Sequence, residues 1–274
     1  MEMKREAVSE SIGYLIIFSL ILTGIGLITL YGYPLLMQQQ SSANMRNMEQ
    51  TMIVLQNDIK SLTYKLANYK ETALRVSGGT LSLYGPPYTD QRFRVEVVDG
   101  GVPQDLFIPP RLGEIRYSST NDNTVITLEN GAVIEKPLAS TGSFMLADPR
   151  WYMDTSSVRT LIISFMNVSS SGSSDTLSQT GIGTVRMRLL RSNMTIQDWG
   201  ASSYDVKITY RPLNTATITP DGYAVAWKTY LTDTNNFPGV TWSGTGAPGA
   251  DDVYTFSSIN KVVIKEYDVM VETL

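Results

Sequence analysis

The chain has 274 residues and a formal net charge of −4, with 22 Lys and Arg against 26 Asp and Glu, and it contains neither cysteine nor histidine. That composition excludes disulfides, zinc–thiolate sites, a cysteine nucleophile, any Ser-His-Asp triad and imidazole acid–base chemistry. It also offers no basic field for nucleic acid. The expectation is a protein that is not an enzyme, with no cofactor, no resident metal and no nucleic-acid partner, long enough for one anchor helix and one or two globular units.

Residues 1–11 form a short polar head in which Ser9 is placed to cap a helix, with Glu10 beside the positive end of the helix dipole. The run Ile12 to Met37 then carries no charge. At ~1.5 Å per residue it spans ~39 Å, enough to cross ~30 Å of hydrocarbon. Lys4 and Arg5 precede it and the next basic residue is Arg46. The positive-inside rule therefore puts the N-terminus in the cytoplasm and the bulk of the chain outside. The alternative is a cleaved signal peptide, but the apolar run is longer than such peptides use and lacks a small-residue cleavage site. Gly24 and Gly26 either reflect the ordinary frequency of glycine in membrane helices or let a neighbouring helix approach closely. Pro34 removes a helical hydrogen bond, predicting a kink or a locally melted turn around Tyr31 to Leu35.

The helical period continues beyond this run. Met45, Met48, Met52, Leu55, Ile59, Leu62, Leu66 and Tyr69 repeat at alternating spacings of three and four, a heptad stripe. One helix is predicted from about Ser9 to about Lys70, ~90 Å long at ~1.5 Å per residue. Its stripe has two possible partners: the chain's own β-region, or the same helix in neighbouring subunits.

After Gly78-Gly79 the sequence reads as β. Val185, Met187 and Leu189, then Tyr204, Val206, Ile208 and Tyr210, then Tyr223, Val225, Trp227, Thr229 and Leu231 each alternate with a period of two. Leu161 to Met166 is apolar on both faces and is placed centrally. Asn130-Gly131 predicts a type I′ hairpin, and Asp99-Gly100-Gly101 and Asp221-Gly222 mark turns. Residues 169–175 read as a flexible loop, residues 235–250 as a loop-rich outer tip, and residues 261–271 as the last strand. The fold class is α+β: a long N-terminal hydrophobic helix followed by an all-β, sandwich-like domain of ten to twelve strands. The predicted organisation is a cytoplasmic head (1–11), a helix (12–72, with 12–37 in membrane or filament core and 38–72 amphipathic and extracellular) and an extracellular β-rich domain (73–274).

Asn167-Val-Ser169 and Asn193-Met-Thr195 are N-glycosylation sequons, expected in loops. The oxygen-rich stretches at Asn121–Asn123, Asp233–Asn236 and Asp251-Asp252 lack EF-hand spacing and read as solvated turns.

Ala7-Val-Ser-Glu-Ser-Ile-Gly-Tyr-Leu-Ile-Ile-Phe18 resembles the start of archaeal type IV pilins and pilin-like proteins and is similar in layout to archaeal flagellins. Asn47 to Ile59, Ala73 to Leu81, Gly113-Glu-Ile-Arg-Tyr117 and Glu129-Asn-Gly-Ala-Val133 resemble a family of uncharacterised archaeal pilin-like surface proteins. The resemblance covers roughly the first half of the chain. It implies a cell-surface filament subunit that self-associates through N-terminal helices and resides in the membrane before assembly. A prepilin-type peptidase, acting among Arg5, Glu6 and Ala7, and pilus assembly machinery would be its partners. Cleavage after Arg5 would put Glu10 at the fifth mature position, where type IV pilins often carry glutamate. Arg5 departs from the small residue usual before such a bond, and both a retained and a removed head stay open. Glu10 either pairs with a neighbour's N-terminal amine during assembly or remains at the headgroups. The alternative to a filament subunit is a single-pass surface protein, an adhesin or envelope component, that never polymerises. A membrane-tethered enzyme is a third reading, disfavoured by the missing His and Cys.

Overall fold

The computed structural model describes residues 3–65, 67–86, 89, 91–140, 142–172, 175–211, 223–245 and 250–274, without the side chains of residues 3–11. The architecture is α+β. Helix α1 (Met3–Leu27), a π-helical turn (Ile28–Gly32) and helix α2 (Tyr33–Tyr64) follow one another without a break. Fourteen strands and one short helix, α3 (Ala224–Leu231), follow among the described residues. The chain divides into two compact units, Met1–Met45 and Arg46–Leu274.

In the first unit, helix begins at Met3, so Ser9 lies inside α1 and does not cap it. The reason is local: Met, Lys, Arg, Glu and Ala dominate the head, and no Gly or Pro interrupts it. Nor does the helix melt at Pro34. Proline has no N–H to give the carbonyl of Leu30, and its ring crowds that carbonyl. The preceding turn widens instead: the Tyr33 N–H donates to the carbonyl of Ile28, five residues back, and α-helix resumes at Tyr33.

In the second unit, nine strands form one sheet in the order β7-β6-β5-β4-β1-β10-β14-β9-β8. They are β1 (Tyr69–Tyr84), β4 (Glu114–Ser119), β5 (Thr124–Glu129), β6 (Ala132–Pro137), β7 (Phe144–Ala147), β8 (Tyr152–Asp154), β9 (Thr160–Ser170), β10 (Thr176–Asp198) and β14 (Lys261–Thr273). A five-stranded sheet has the order β12-β13-β11-β2-β3, from β2 (Phe93–Asp99), β3 (Val102–Phe107), β11 (Tyr204–Tyr210), β12 (Thr241–Ser243) and β13 (Asp252–Ile259). All pairings are antiparallel except β14 with β9. The hairpins fall where the turn residues predict. Asn130 and Gly131 both have positive φ (48° and 76°), as a type I′ turn requires, and Gly100 and Gly101 do the same between β2 and β3.

Much of the large sheet is covered on both faces, while Leu190–Asp198 of β10 is exposed. One face receives the second half of α2: Gln56 donates to the carbonyls of Gly131 (2.7 Å) and Asp148 (2.9 Å), and Tyr64 packs edge-on against Tyr267 at 5.4 Å. The other face meets the small sheet and α3 around an aromatic core of Phe93, Trp151, Phe165, Tyr210 and Trp227, with ring centroids about 5–6 Å apart. Strand β9 shows the division, since its odd residues Leu161, Ile163 and Phe165 enter this aromatic core.

Four further expectations change. The helix ends at Tyr64, and residues 69–72 open β1. From Tyr69 onward the burial alternates, reaching Leu74 and Val76 inward with Arg75 outward. The strand is tied back to the helix by Thr72, which donates to the carboxylate of Asp58, and by Lys70, 3.7 Å from Asp58. Tyr69 is therefore not a member of the helical stripe, and Leu66 lies outside the described residues. Second, Tyr223 to Leu231 is not a strand. Ala224, Ala226, Trp227, Tyr230 and Leu231 are buried while Val225 and Thr229 are exposed, which is a helical face; two alanines also favour helix. The neighbouring Asp221-Gly222 lies outside the described residues. Third, β9 is next to last in its sheet rather than central, and runs on through Ser169 and Ser170. Its outer edge is closed by side chains: Trp151 donates to the carbonyl of Ser164 (2.6 Å) and the Asn130 carboxamide accepts from the Met166 N–H (2.9 Å). Finally, the stretch expected at an outer tip folds inward at Phe237, which is fully buried between Tyr230 and Phe256.

Candidate functional site

The first candidate surface is the apolar helix. From Ile12 to Met37 every large hydrophobic side chain is exposed, between 41% at Met37 and 73% at Tyr31. This is the one helix among the described residues long and apolar enough to cross a membrane. Its threonine hydroxyls are satisfied internally, Thr23 donating to the carbonyl of Ser19 (2.7 Å) and Thr29 to that of Ile25 (2.9 Å). Such pairing lowers the cost of placing them among apolar neighbours. A Cβ added at Gly13, Gly24 or Gly26 would meet nothing within 4 Å. Within the chain itself, then, nothing requires these glycines, although each costs a helix ~1 kcal/mol relative to alanine. Arg5, Glu6, Ala7 and Glu10 lie along the first turns of α1; their side chains lie outside the described residues.

The heptad stripe divides. Met48, Met52, Leu55, Ile59 and Leu62 are at most 1% exposed, and Met45, the last residue of the first unit, is also buried. Between Met48 and Leu62 the stripe is thus spent on the chain's own sheet. Helix surface open to another molecule lies before it.

The second candidate is a buried ion network that sequence reasoning missed. Register sets Glu114 on β4 directly opposite Glu129 on β5. Like charges so placed repel. Arg92, just before β2 of the other sheet, enters between them: it pairs with Glu114 at 3.1 Å and with Glu129, and all three side chains are 3% exposed or less. Arg116 pairs with Glu114 from the same strand and lies 4.7 Å from the centre of the Tyr84 ring. Tyr223 bonds Thr127 at 2.6 Å beside them. Burial opposes ionisation of both carboxyls. At Glu114 the two arginines overcome it and hold the pKa below the usual carboxylate range; at Glu129 burial prevails and pushes it up. The network links the two sheets. The only signal in the sequence was the alternation of Glu114 and Arg116 with Ile115 and Tyr117, charges on one face of a strand whose other face is apolar.

Both sequons lie on strands rather than in loops. Asn167 is half-buried on β9; its carboxamide accepts from the Gly113 N–H (3.1 Å) and donates to Asp268 (3.2 Å). Asn193, on β10, is exposed and donates to Glu266 at 3.0 Å. Of the oxygen-rich stretches, Asp251 is paired bidentately with Arg211 (2.7 and 2.8 Å), and Asp233 binds its own turn through the Asn235 N–H (3.0 Å).

The chain belongs to a family of unknown function, DUF7289, which matches residues 6–272. No curated protein and no solved structure matches it.

Proposed function

We propose that this DUF7289 protein is a structural subunit of a type IV pilus-like filament on the cell surface, as the resemblance to archaeal pilins implies, and not an enzyme. The observation that carries the reading is the Ile12–Met37 helix, apolar on every side with every large hydrophobic side chain exposed. A helix of that kind needs an apolar environment all round, which a bilayer supplies before assembly and a bundle of like helices supplies after it. Between helices in lipid the hydrophobic effect gives no drive, so association rests on close packing. Gly24 and Gly26, which nothing inside the chain requires, supply the close approach. Leader removal among Arg5, Glu6 and Ala7, assembly machinery as partner, Glu10 as an assembly carboxylate and a glycan on the exposed Asn193 belong to the same proposal. It places the β-rich unit outside the cell.

Electron microscopy of surface filaments, with mass spectrometry of their subunit, tests the reading. The chain is expected as a major filament component, and Gly24→Leu with Gly26→Leu is expected to abolish filaments while leaving membrane insertion intact. Glu10→Ala is expected to slow polymerisation. Cells with abundant membrane-inserted chain and no filament containing it would sink the proposal and leave a non-polymerising anchored surface protein, which the same helix supports equally in its membrane portion.

A further inference from the structure

Strand β10 is longer than its neighbour. Its pairing with β1 begins at Tyr69 opposite Arg188, so from Leu189 to Asp198 it is held by β14 on one side and by no described strand on the other. Those ten residues leave an edge of ~33 Å at ~3.3 Å per residue, whose outward N–H and C=O groups meet no strand among the described residues. Long open edges template pairing with another strand, and proteins commonly blunt them. Here the outermost strands of both sheets are blunted, and Tyr69–Ser77 of β1, which β4 does not pair, carries Lys70, Glu71 and Arg75. Strands β8 and β12 are three residues long, and β7 lies beside α3, where Ser143 accepts from the Ala226 N–H. Strand β3 carries Pro103 next to the turn-flanking pair Asp99–Val102, so the position whose N–H would face outward has none. The β10 edge has no proline, and between Ser192 and Gln197 no charge. It exposes Leu190, Met194 and Ile196 instead, at 46%, 56% and 47%.

We infer that this edge pairs antiparallel with the same edge of a second copy of the chain, about a twofold axis at Thr195. The segment is self-complementary in that register. Met194 falls opposite Ile196 of the second copy, joining the exposed aliphatic side chains on one face. Asn193 falls opposite Gln197 and Thr195 opposite itself on the other face, and Ser192 opposes Asp198, so no like charges meet. A neighbour that presented a helix or a globular surface would leave the backbone groups unpaired; an extended strand satisfies them. Side chains leave a sheet from its faces, so a glycan on Asn193 is compatible with pairing at the edge. The contact is independent of the helix: it joins β-rich units, whether of anchored chains or of adjacent filaments.

The absence of native cysteine makes the test direct. Directly opposed residues in antiparallel strands have Cα atoms ~4.5 or ~5.5 Å apart, within disulfide range. Thr195→Cys full-length chain in mild detergent is oxidised and run on a non-reducing gel. A disulfide dimer of twice the chain mass is expected, at least about tenfold more abundant than from Ile182→Cys, a strand position 82% exposed but away from the open edge. Adding Met194→Lys and Ile196→Lys to the Thr195→Cys chain is expected to remove most of that dimer. Equal cross-linking at 182 and 195, no effect of the lysines, or cross-linking only to a protein of another mass would overturn the inference. The Gly24→Leu, Gly26→Leu chain separates the two proposals: filaments lost with the Thr195 cross-link retained touches only the helix, and normal filaments without the cross-link touches only the edge.

Discussion

Replacing Arg92 with methionine tests whether the buried network is structural. The substitution keeps most of the side-chain volume and removes the charge that separates Glu114 from Glu129. Arg92 is 3% exposed and its two partners 0% and 1%, so solvent does not screen the loss. Breaking a buried pair by removing one partner costs about 3–5 kcal/mol. With a urea m-value of about 3 kcal/mol/M, the unfolding midpoint should fall by ~1–2 M. Tryptophan fluorescence reads it in the full-length chain in mild detergent, since Trp151, Trp199, Trp227 and Trp242 all lie in the Arg46–Leu274 unit. The pH dependence fixes the mechanism. In the native chain Glu114, with its folded pKa depressed, contributes stability above the ordinary glutamate value of 4.5 that is lost as pH falls through the folded pKa. Glu129, with its folded pKa raised, acts in the opposite sense: its contribution is present below that value and lost as pH rises through its folded pKa. Without Arg92 both carboxyls prefer protonation, so the deficit of the variant is greatest near pH 7 and shrinks as pH falls toward 4.5. A midpoint shift under ~0.3 M at pH 7, or a deficit that grows on acidification, would refute the reasoning. Adding Glu114→Gln and Glu129→Gln to the Arg92→Met chain should recover much of the loss, because no unpaired charge then stays buried.

Leu55→Ala, at a fully buried stripe position, should destabilise the β-rich unit by about 2–5 kcal/mol, whereas Val54→Ala, at 46% exposure, should change it by under ~0.5 kcal/mol; paired thermal or urea melts decide. Gly113→Ala would bring a Cβ within 1.7 Å of the Val168 carbonyl and Gly79→Ala within 2.3 Å of that of Ser118, so both should lower the melting temperature by several degrees. Gly24→Ala, with open space around it, should leave that melt unchanged. Peptide mapping by mass spectrometry of native material should find any glycan at the exposed Asn193 and none at the half-buried Asn167, which also holds the Gly113 N–H.

Periodicity made most of the architecture legible. The uncharged helical run, the Met48–Leu62 part of the stripe read over Met45–Tyr69 and the Asn130-Gly131 turn all depend on neighbours close in sequence, and each is found in the fold. The failures are of two physical kinds. At residues 69–72 and 223–231 a helical and an extended period coincide over a few residues, and only tertiary burial selects between them; Val225 and Thr229 are exposed where an alternating strand would bury them. The ion network and the open β10 edge belong to the second kind. Arg92, Glu114 and Glu129 are brought together by strand register, and the edge exists because β1 stops pairing at Arg188 while β10 continues. No local pattern encodes either. Yet Gly113-Glu-Ile-Arg-Tyr117 and Glu129-Asn-Gly-Ala-Val133, the motifs that carried the resemblance, contain both buried glutamates and Arg116.

The burial of the stripe also bears on assembly. A helix that continued its seam from Ile12 through Leu62 could associate along its whole length. Here Met48 to Leu62 lies against the large sheet, anchored by Gln56 to the Gly131 and Asp148 carbonyls, and is unavailable to a neighbour. In the proposed filament, helix-mediated association is therefore confined to the stretch ahead of it, of which Ile12–Met37 is apolar on all sides and carries no seam of its own. A uniformly apolar helix packs by close approach rather than by knobs of fixed register. Its specificity must come from the few places where its surface is not uniform: Gly24 and Gly26, and the widened turn Ile28–Gly32 that accommodates Pro34. Substitutions at these positions should alter assembly without touching the stability of the β-rich unit, and substitutions along Met48–Leu62 should do the reverse.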